Sequence, residues 1–268
     1  MNEITHDWKT LRVEHHGSRV EVQLNRPEAR NALNAALMEE LTEVARRLRL
    51  RTDVSAVILH GTESYFSAGA DLSGRSGEIE PPTLMERRRA ASLGPDLCQA
   101  WADIEAVTIA AIEGFCIGGG CALAAACDFR IMGQGAYLRL PEVPLGINMS
   151  WRTLPRLVAL MGPSRAKAFV MFGEKLEAAQ CLVCGLADDV APAGLALERA
   201  RALADKVAAL PPLPVRMTKQ AIDAIAAATA QASIYMDRDQ YLLTSGSNDF
   251  REGVQAFFDR RPGNFKGE

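Results

Sequence analysis

Histidine is scarce in this 268-residue sequence, and its four histidines, at positions 6, 15, 16 and 60, do not have the spacing of metal ligands. Long hydrophobic runs are also missing, because the longest candidate is interrupted by Glu113 and by the glycine triplet at 118–120. A strong charge of one sign is lacking as well, since the formal net charge is −3. The sequence therefore gives no reason to expect a metal centre, a nucleic-acid partner or a membrane partner.

Cysteine is present, but not in a disulfide pattern. The six cysteines occupy positions 98, 116, 121, 127, 181 and 184, and several lie in apolar segments, where free cysteine behaves as a small buried hydrophobe. Cys181 and Cys184 form a CxxC pair where a helix is expected, without a second pair, so no metal or redox role is expected. The polar N-terminus, 1–7, does not resemble a signal peptide. Together these features predict a protein of the reducing cytoplasm.

Glycine and other small residues are concentrated after two predicted strands. The apolar strand 107–112 leads to the triplet at 118–120 and then to a helix that begins near Ala122. A second apolar strand, 54–60, leads to the small-residue loop 67–70. Glycine lets a backbone approach a ligand closely, and a helix N-terminus presents amide N–H groups without backbone partners. Two such loops that converge can form an oxyanion hole; a turn that serves only packing is the alternative.

Four segments together resemble the crotonase family, the enoyl-CoA hydratases and isomerases. They are 24–33 (LNRPEARNAL), 66–72 (FSAGADL), 111–123 (AIEGFCIGGGCAL) and 140–146 (LPEVPLG). The tail 252–266 (EGVQAFFDRRPGNFK) is also similar to the C-terminus of this family, so the resemblance covers nearly the whole chain. It implies an α/β fold, a crotonase-like spiral of ββα units with a C-terminal helical trimerisation region.

The resemblance also implies an acyl-CoA thioester as substrate, with coenzyme A as part of that substrate and no separate cofactor. The backbone amides of Ala70 and Gly119 match the two oxyanion-hole donors, and Glu142 matches one of the two catalytic glutamates of the hydratases. Positions that match the CoA-binding residues are Arg26, Ala29, Ala68, Asp71 and Leu72. Phe257 and Arg260 match a C-terminal pair that reaches the CoA bound in a neighbouring subunit, because members of the family form trimers, often paired into hexamers.

The sequence departs from the hydratase pattern at Ala122, where the other catalytic glutamate is expected. Adding water to a double bond needs groups that deprotonate the water and protonate the α-carbon, and alanine does neither. Moving a double bond from the 3- to the 2-position needs only one carboxylate, which removes the proton at C2 and returns it at C4. The residues therefore favour a Δ3–Δ2 enoyl-CoA isomerase with Glu142 as its single base.

Three alternatives stay open at this point. Hydration could use an unrecognised second acid, such as Glu113 or an acidic residue in the loop after Gly74. Other members of the family use an acidic residue eight positions after the site that matches Glu142, but this chain has Ser150 there. The chain could also be an acyl-CoA binding protein without efficient chemistry, or use its oxyanion hole for decarboxylation or thioester hydrolysis. The acyl pocket is expected to be lined by Met85, Phe115, Ile147, Met149 and Trp151.

Periodicity predicts a hairpin of strands 11–15 and 19–24 around Gly17-Ser18, and a helix over 35–49. Strands then alternate with helical segments, which predicts crossover units and a largely parallel sheet. These strands lie near 54–60, 107–112 and 128–132. The loop 74–82, rich in glycine, proline and charge, is expected to lie over the site, before a helix near 83–105.

Two regions are predicted along the chain. Residues 1–193 form a core with the CoA groove and active site, and residues 194–268 form a helical oligomerisation region. Since no sheet is expected for these last helices to cover, their apolar faces should pack on a neighbouring subunit. The helices are predicted around 195–209, 215–227, 230–244 and 249–259, and one face of the last carries Phe250, Val254, Phe257 and Phe258.

Overall fold

The computed structural model describes residues 7–71 and 82–268, and this part of the chain forms two β-sheets surrounded by helices. The strands are β1 (Leu11–His16), β2 (Arg19–Leu24), β3 (Ala56–His60), β4 (Tyr65–Ser67), β5 (Val107–Ile112), β6 (Phe115–Ile117), β7 (Phe129–Gly133), β8 (Tyr137–Arg139), β9 (Leu176–Glu177) and β10 (Asp189–Ala191). The helices are α1 (Ala35–Leu48), α2 (Leu84–Ala90), α3 (Leu93–Ala102), α4 (Gly119–Ala125), α5 (Thr153–Met161), α6 (Pro163–Phe172), α7 (Ala178–Cys184), α8 (Ala196–Ala208), α9 (Pro212–Ala226), α10 (Gln231–Ile234), α11 (Asp237–Ser245) and α12 (Asn248–Asp259).

From β3 to β8, the two sheets take strands alternately from the chain. The larger has the order β1-β2-β3-β5-β7-β10, and the smaller has the order β4-β6-β8-β9. Three successive strand pairs repeat one pattern: β3–β4, β5–β6 and β7–β8. In each pair the first strand joins the large sheet, the second joins the small sheet, and a helix follows. This repetition confirms the predicted α/β fold built of ββα units. Since β3 pairs with β5 and β4 with β6 in parallel, the segments that follow β4 and β6 lie side by side.

The predicted N-terminal elements are confirmed. β1 and β2 form an antiparallel hairpin in which Leu11 lies opposite Leu24, and α1 begins after Asn34, whose side chain accepts from the Leu37 amide at 2.9 Å. The predicted apolar stripe of α1 is buried: Leu37, Leu41, Val44, Ala45 and Leu48. The helix predicted near 83–105 is in fact two helices, α2 and α3.

The helix after residue 194 does have a sheet to cover, contrary to the expectation for 195–209. Ala196, Ala200 and Ala204 of α8 form one buried stripe, because residues four apart share a helix face. This stripe packs against β3 and β5 in a second buried cluster that includes Ile58 and Ile109. Small alanine side chains let α8 approach the sheet closely, so the large sheet is covered on both faces.

The helix α9 is tied to the core by two basic side chains. The Arg216 guanidinium donates to the backbone oxygens of Arg51, at 2.8 Å, and Val54, at 2.7 Å. The Lys219 ammonium contacts the Asp128 carboxylate at 2.6 Å. The apolar side chains on another part of α9 remain exposed in the single chain: Leu213, Met217, Ile222 and Ile225.

A buried arginine joins β7 to the segment that enters β10. Arg130 is 2% exposed, and its guanidinium donates to the Leu186 oxygen at 3.0 Å, the Cys127 oxygen at 2.8 Å and the Asp188 carboxylate at 2.7 Å. A planar group with several donors suits such a site, because it satisfies several acceptors from one position. Removing it leaves buried carbonyl oxygens without donors.

We predict that Arg130→Met lowers the free energy of unfolding by about 3 kcal/mol, because it removes the donor to the buried backbone oxygens of Leu186 and Cys127 and to the Asp188 carboxylate. The matched control is Arg199→Met, since Arg199 is 58% exposed by side chain in its pair with Asp189 and should lose less than about 1 kcal/mol. Urea unfolding at one fixed protein concentration measures both. Equal losses for the two variants would contradict the structural role of Arg130.

Candidate active site

The loops after β4 and β6 touch through their backbones. A Cβ atom on Gly69 would lie 2.8 Å from the Ile117 oxygen, and one on Gly120 would lie 2.9 Å from the Ser67 Cβ. Gly69 also has φ +91°, a conformation that side chains disfavour. The small residues predicted to form an oxyanion hole therefore converge because no side chain keeps the two loops apart.

Both predicted amide donors lie at this meeting point. Leu33 pairs with the backbone on either side of Ala70. The Leu33 amide donates to the Gly69 oxygen at 2.7 Å, and the Leu33 oxygen accepts from the Asp71 amide at 3.1 Å. Within residues 7–71 and 82–268, no acceptor is found for the Ala70 N–H. Gly119 is the first residue of α4, where amide N–H groups have no carbonyl within the helix. The helix begins earlier than predicted, at Gly119 rather than near Ala122.

Two polar side chains that sequence analysis did not assign hold the first loop. The Asn31 amide donates to the Phe66 oxygen at 3.1 Å, and the Ser67 hydroxyl donates to the Asn31 oxygen at 2.7 Å and accepts from the Gly69 amide at 3.1 Å. Asn31 has φ +55°, a conformation that asparagine tolerates better than most residues. Both residues lie inside the segments that carry the family resemblance, so the positions were visible, but their bonds join parts of the chain that are far apart in sequence.

The predicted CoA-binding residues that lie in the described chain surround the same loop. The Arg26 guanidinium donates to the carboxylate of Asp71, the residue after Ala70, at 3.0 Å. The Ala68 amide donates to the Arg30 oxygen at 3.0 Å, and Ala29 ends a 3₁₀ turn at 27–29. Arg26 is thus engaged in fixing the loop. Leu72 and most of the loop 74–82 lie outside the described residues.

Glu142 reaches the meeting point from the loop after β8. Its Oε1 lies so close to the glycine loop that a Cβ on Gly118 would be 2.8 Å from it. Its Oε2 is buried and has no hydrogen-bond partner in the described part of the chain. Burial disfavours the charged form and raises the pKa of Glu142 to about 7, whereas a hydrogen bond from its own backbone amide lowers the pKa by less. A carboxyl group with this pKa exchanges a proton readily near neutral pH.

Neither Glu113 nor Ser150 supplies a second carboxylate beside Glu142, because each one is hydrogen-bonded to another part of the chain. Ala122 is fully buried in the core next to this site. Glu113 accepts from the Ala196 amide at 2.9 Å, so its carboxylate caps the start of α8, which lies on the large sheet. The Ser150 hydroxyl donates to the Asp237 carboxylate at 2.8 Å. Glu142 is therefore the carboxylate that the described chain brings against the glycine loop at Gly118.

One of the predicted pocket-lining residues contacts an oxyanion donor. The six-membered ring of Trp151 packs on Gly119, where a Cβ would lie 2.6 Å from Cη2. The other four residues differ in their surroundings. Phe115 stacks on the Tyr65 ring at a centroid distance of 5.4 Å, Met149 is buried in the core and Met85 is exposed on α2. The Ile147 amide donates to the backbone oxygen of Glu142 at 3.0 Å.

The C-terminal pair does not join the site within the single chain. Phe257 is 57% exposed on α12, and Arg260 ends that helix with φ +54°. In the part of the chain that the structure describes, the Arg260 guanidinium makes no hydrogen bond or ion pair. The helix itself packs near Glu142, since a Cβ on Gly253 would lie 2.4 Å from the Leu145 oxygen.

Among the described residues, no group of three or more His, Cys, Asp or Glu side chains is arranged to hold a metal ion. Likewise, no helix within 7–71 and 82–268 has both the length and the apolar character needed to cross a membrane. The CxxC pair lies on α7, as predicted, and Cys181 is buried.

Comparison with known proteins agrees with the geometry. The family described as enoyl-CoA hydratase/isomerase matches residues 14–268. The 2,3-dehydroadipyl-CoA hydratase of Escherichia coli is 36% identical over 247 residues, which cover 91% of this chain and 93% of that protein. A probable mitochondrial enoyl-CoA hydratase of Dictyostelium discoideum is 34% identical and covers 90% of this chain and 84% of its own length.

Solved structures give the same result. An enoyl-CoA hydratase from Bacillus anthracis superimposes with a TM-score of 0.77 at 33% identity, covering 97% of this chain and 100% of that one. The sequence match extends over nearly the whole chain and includes all five segments noted above. The chain is therefore an enzyme of the enoyl-CoA hydratase/isomerase family, the crotonases.

Proposed function

We propose that this enzyme is a Δ3–Δ2 enoyl-CoA isomerase that uses Glu142 as its single base and the amides of Ala70 and Gly119 as its oxyanion hole. The observation that carries the proposal is that Glu142 has a buried Oε2 without a hydrogen-bond partner in the described part of the chain, while a buried alanine occupies position 122. The substrate is an acyl-CoA thioester, and coenzyme A enters as part of that substrate. All six cysteines are free, which suits a reducing compartment, and we propose a cytoplasmic location.

In the proposed mechanism, the ionised Glu142 removes a proton from C2 of a 3-enoyl-CoA. The electron pair of the broken C–H bond moves into the thioester, and the negative charge develops on its oxygen. The N–H groups of Ala70 and Gly119 stabilise this enolate, because donors fixed in advance need no reorganisation. The protonated Glu142 then returns the proton at C4, which forms the 2-enoyl-CoA and regenerates the carboxylate. A pKa near neutrality suits both steps, since the same group must accept and release the proton.

Hydration of 2-enoyl-CoA is the second candidate, because the similar proteins named above are hydratases by name. It requires another acid–base group beside Glu142. Glu113 is engaged at the start of α8, which speaks against its use, and the loop after Gly74 lies mostly outside the described residues. The ratio of the two reaction rates therefore decides between isomerase and hydratase.

We predict that purified enzyme isomerises 3-enoyl-CoA faster than it hydrates 2-enoyl-CoA by a factor of about 10²–10⁴, the usual contribution of a positioned acid–base group. Product analysis after incubation with each substrate measures this ratio. Comparable rates on both substrates would favour the hydratase. Binding without turnover of either would favour an acyl-CoA binding protein, whereas release of free CoA or of CO₂ would indicate thioester hydrolysis or decarboxylation.

We predict that Glu142→Gln retains acyl-CoA binding but lowers kcat/KM for isomerisation by about 10²–10⁴-fold, because the amide has similar shape but takes no proton. In the wild type, kcat/KM should rise with pH up to about pH 7 and level off above it, since only the ionised carboxylate is a base. Glu39→Gln, on the exposed side of α1, is the matched control and should retain both activity and pH profile. A fully active Glu142→Gln enzyme would exclude the proposed base.

We also propose that the enzyme is a homotrimer or a pair of trimers. In support, α12 exposes Phe257 and Phe258, at 57% and 67%, although its Gly253 and Ala256 are buried against the same chain. The helix α9 exposes a further group of apolar side chains, and exposed apolar faces of this kind mark interaction sites. A neighbouring subunit that covers α12 would also bring Arg260, whose guanidinium has no partner in the described part of the chain, to a CoA phosphate.

We predict that the double variant Phe257→Asp/Phe258→Asp dissociates into monomers, because it introduces two charges into an interface that buries aromatic rings. The control is Leu50→Asp, since Leu50 is 68% exposed at the end of α1 and should leave the assembly intact. Sedimentation velocity at micromolar concentration distinguishes the species. A wild-type protein that sediments as a fully active monomer would refute the proposed assembly.

A further inference from the structure

The indole of Trp151 is held between two glycines on different helices. A Cβ on Gly94 of α3 would lie 2.0 Å from its Cε2 and 2.3 Å from its Nε1, and a Cβ on Gly119 of α4 would lie 2.6 Å from its Cη2. One end of the ring system thus rests on α3, and the other rests on the residue whose amide is the proposed oxyanion donor. No larger residue fits at position 94 or 119 while the indole stays where it is.

The backbone at Trp151 is in an unfavourable conformation. Trp151 has φ +65° and Arg152 has φ +56°, both in the left-handed region that side chains disfavour. Residues in this region persist when the surrounding structure holds them there, and they cluster at functional sites. The indole reaches Gly119 from this turn, so the backbone conformation of Trp151 determines where the indole lies relative to the proposed oxyanion donor.

The carboxylate of Asp237 holds this turn from the other end of the chain. It accepts from the Ser150 hydroxyl at 2.8 Å and from the Arg152 amide at 3.1 Å, and Asp237 is only 7% exposed. These two bonds flank Trp151 on both sides. A buried carboxylate that is engaged by both neighbours fixes the direction in which the tryptophan side chain leaves the backbone.

The next two residues of α11 hold the segment that carries Gly94. The Arg238 guanidinium donates to the Ser92 hydroxyl at 2.9 Å, directly before α3. The Asp239 carboxylate accepts two hydrogen bonds from Arg88 of α2, at 2.8 and 3.2 Å. The first turn of α11 therefore binds the Trp151 turn and the α2–α3 segment at the same time.

From this arrangement we infer that Trp151 is a specificity-determining residue, whose indole closes the acyl pocket beside Gly119 and restricts the enzyme to short acyl groups. Asp237 is the positioning residue that holds the indole there. The inference rests on the proposed oxyanion hole, because a thioester oxygen on the Gly119 amide brings the first acyl carbons close to the indole. A longer chain must then pass a rigid ring that α3 supports from behind.

The test uses butanoyl-CoA and decanoyl-CoA, which are saturated and therefore bind without isomerisation. Isothermal titration calorimetry measures the ratio of their affinities. In an open apolar pocket, each buried methylene strengthens binding about fourfold, so decanoyl-CoA would bind far more tightly. For the wild type we expect decanoyl-CoA to bind no more tightly than butanoyl-CoA.

Shortening the side chain should open the pocket. We expect Trp151→Ala to raise the decanoyl-to-butanoyl affinity ratio by about tenfold or more, and Trp151→Phe to give an intermediate ratio. Trp8→Ala is the matched control, since Trp8 packs against the core beside Arg47, and it should keep the wild-type ratio. The melting temperature of each variant, measured alongside, identifies any that fail to fold.

Asp237 is tested by the same ratio. Asp237→Ala removes both bonds to the turn and should raise the ratio as Trp151→Ala does, whereas Asp237→Asn keeps an acceptor oxygen and should largely retain the wild-type ratio. A merely structural role would weaken binding of both ligands equally and leave the ratio unchanged.

The outcomes separate this inference from the proposed reaction. An unchanged ratio in Trp151→Ala would overturn the role of Trp151, even if the enzyme isomerises 3-enoyl-CoA. Conversely, suppose that the wild type has no isomerase activity but Trp151→Ala shifts the decanoyl-to-butanoyl affinity ratio as expected. The role of Trp151 as the pocket wall would then stand, and only the proposed reaction would be refuted. A wild-type protein that binds neither ligand would overturn both.

Discussion

The active site depends on one contact between backbones, where the loop after β4 meets the loop after β6. A side chain at Gly69 would overlap the Ile117 carbonyl, and one at Gly118 would overlap the Glu142 carboxylate. Because β3 pairs with β5 and β4 with β6, the two sheets bring these loops to the same level. The sheets therefore bring the two proposed donors, Ala70 and Gly119, near each other, and the side-chain hydrogen bonds of Asn31 and Ser67 hold the first loop in place, so both donors are fixed in advance.

The same close approach governs the charge of Glu142. A carboxylate packed on glycine backbone, with one oxygen buried and without a partner in the described chain, loses water that would stabilise its charge. Desolvation therefore outweighs its backbone hydrogen bond, and its pKa rises to about 7. Asp71 differs from Glu142 in having a charged partner, because its carboxylate accepts a hydrogen bond from the Arg26 guanidinium next to Ala70. Two carboxylates near one site thus serve different purposes: one fixes the loop, and the other is left able to exchange a proton.

Local patterns in the sequence predicted the elements that depend on neighbouring residues. The β1–β2 hairpin, the buried stripe of α1 and the two small-residue loops are confirmed, since periodicity and glycine act over short distances. The partners of side chains could not be predicted in this way. Glu113 follows a strand next to the glycine loop, yet its carboxylate caps α8, 83 residues away. Alanines let α8 cover the large sheet, although the helices after residue 194 were expected to have no sheet to cover. Asn31 and Asp237 were missed for the same reason, because their roles consist of contacts between distant segments.

The bond between Ser150 and Asp237 spans 87 residues, so its two partners emerge from the ribosome at different times during synthesis. The strands that carry both proposed donors and the loop that carries Glu142 emerge from the ribosome before α11 does. Until α11 follows, the turn at 150–152 has no carboxylate to hold it in the left-handed conformation, and forming such a long-range contact is entropically slow. The loops that carry Ala70, Gly119 and Glu142 therefore emerge before the carboxylate that holds the Trp151 turn, so the proposed pocket wall is fixed only after the proposed oxyanion loops have been synthesised.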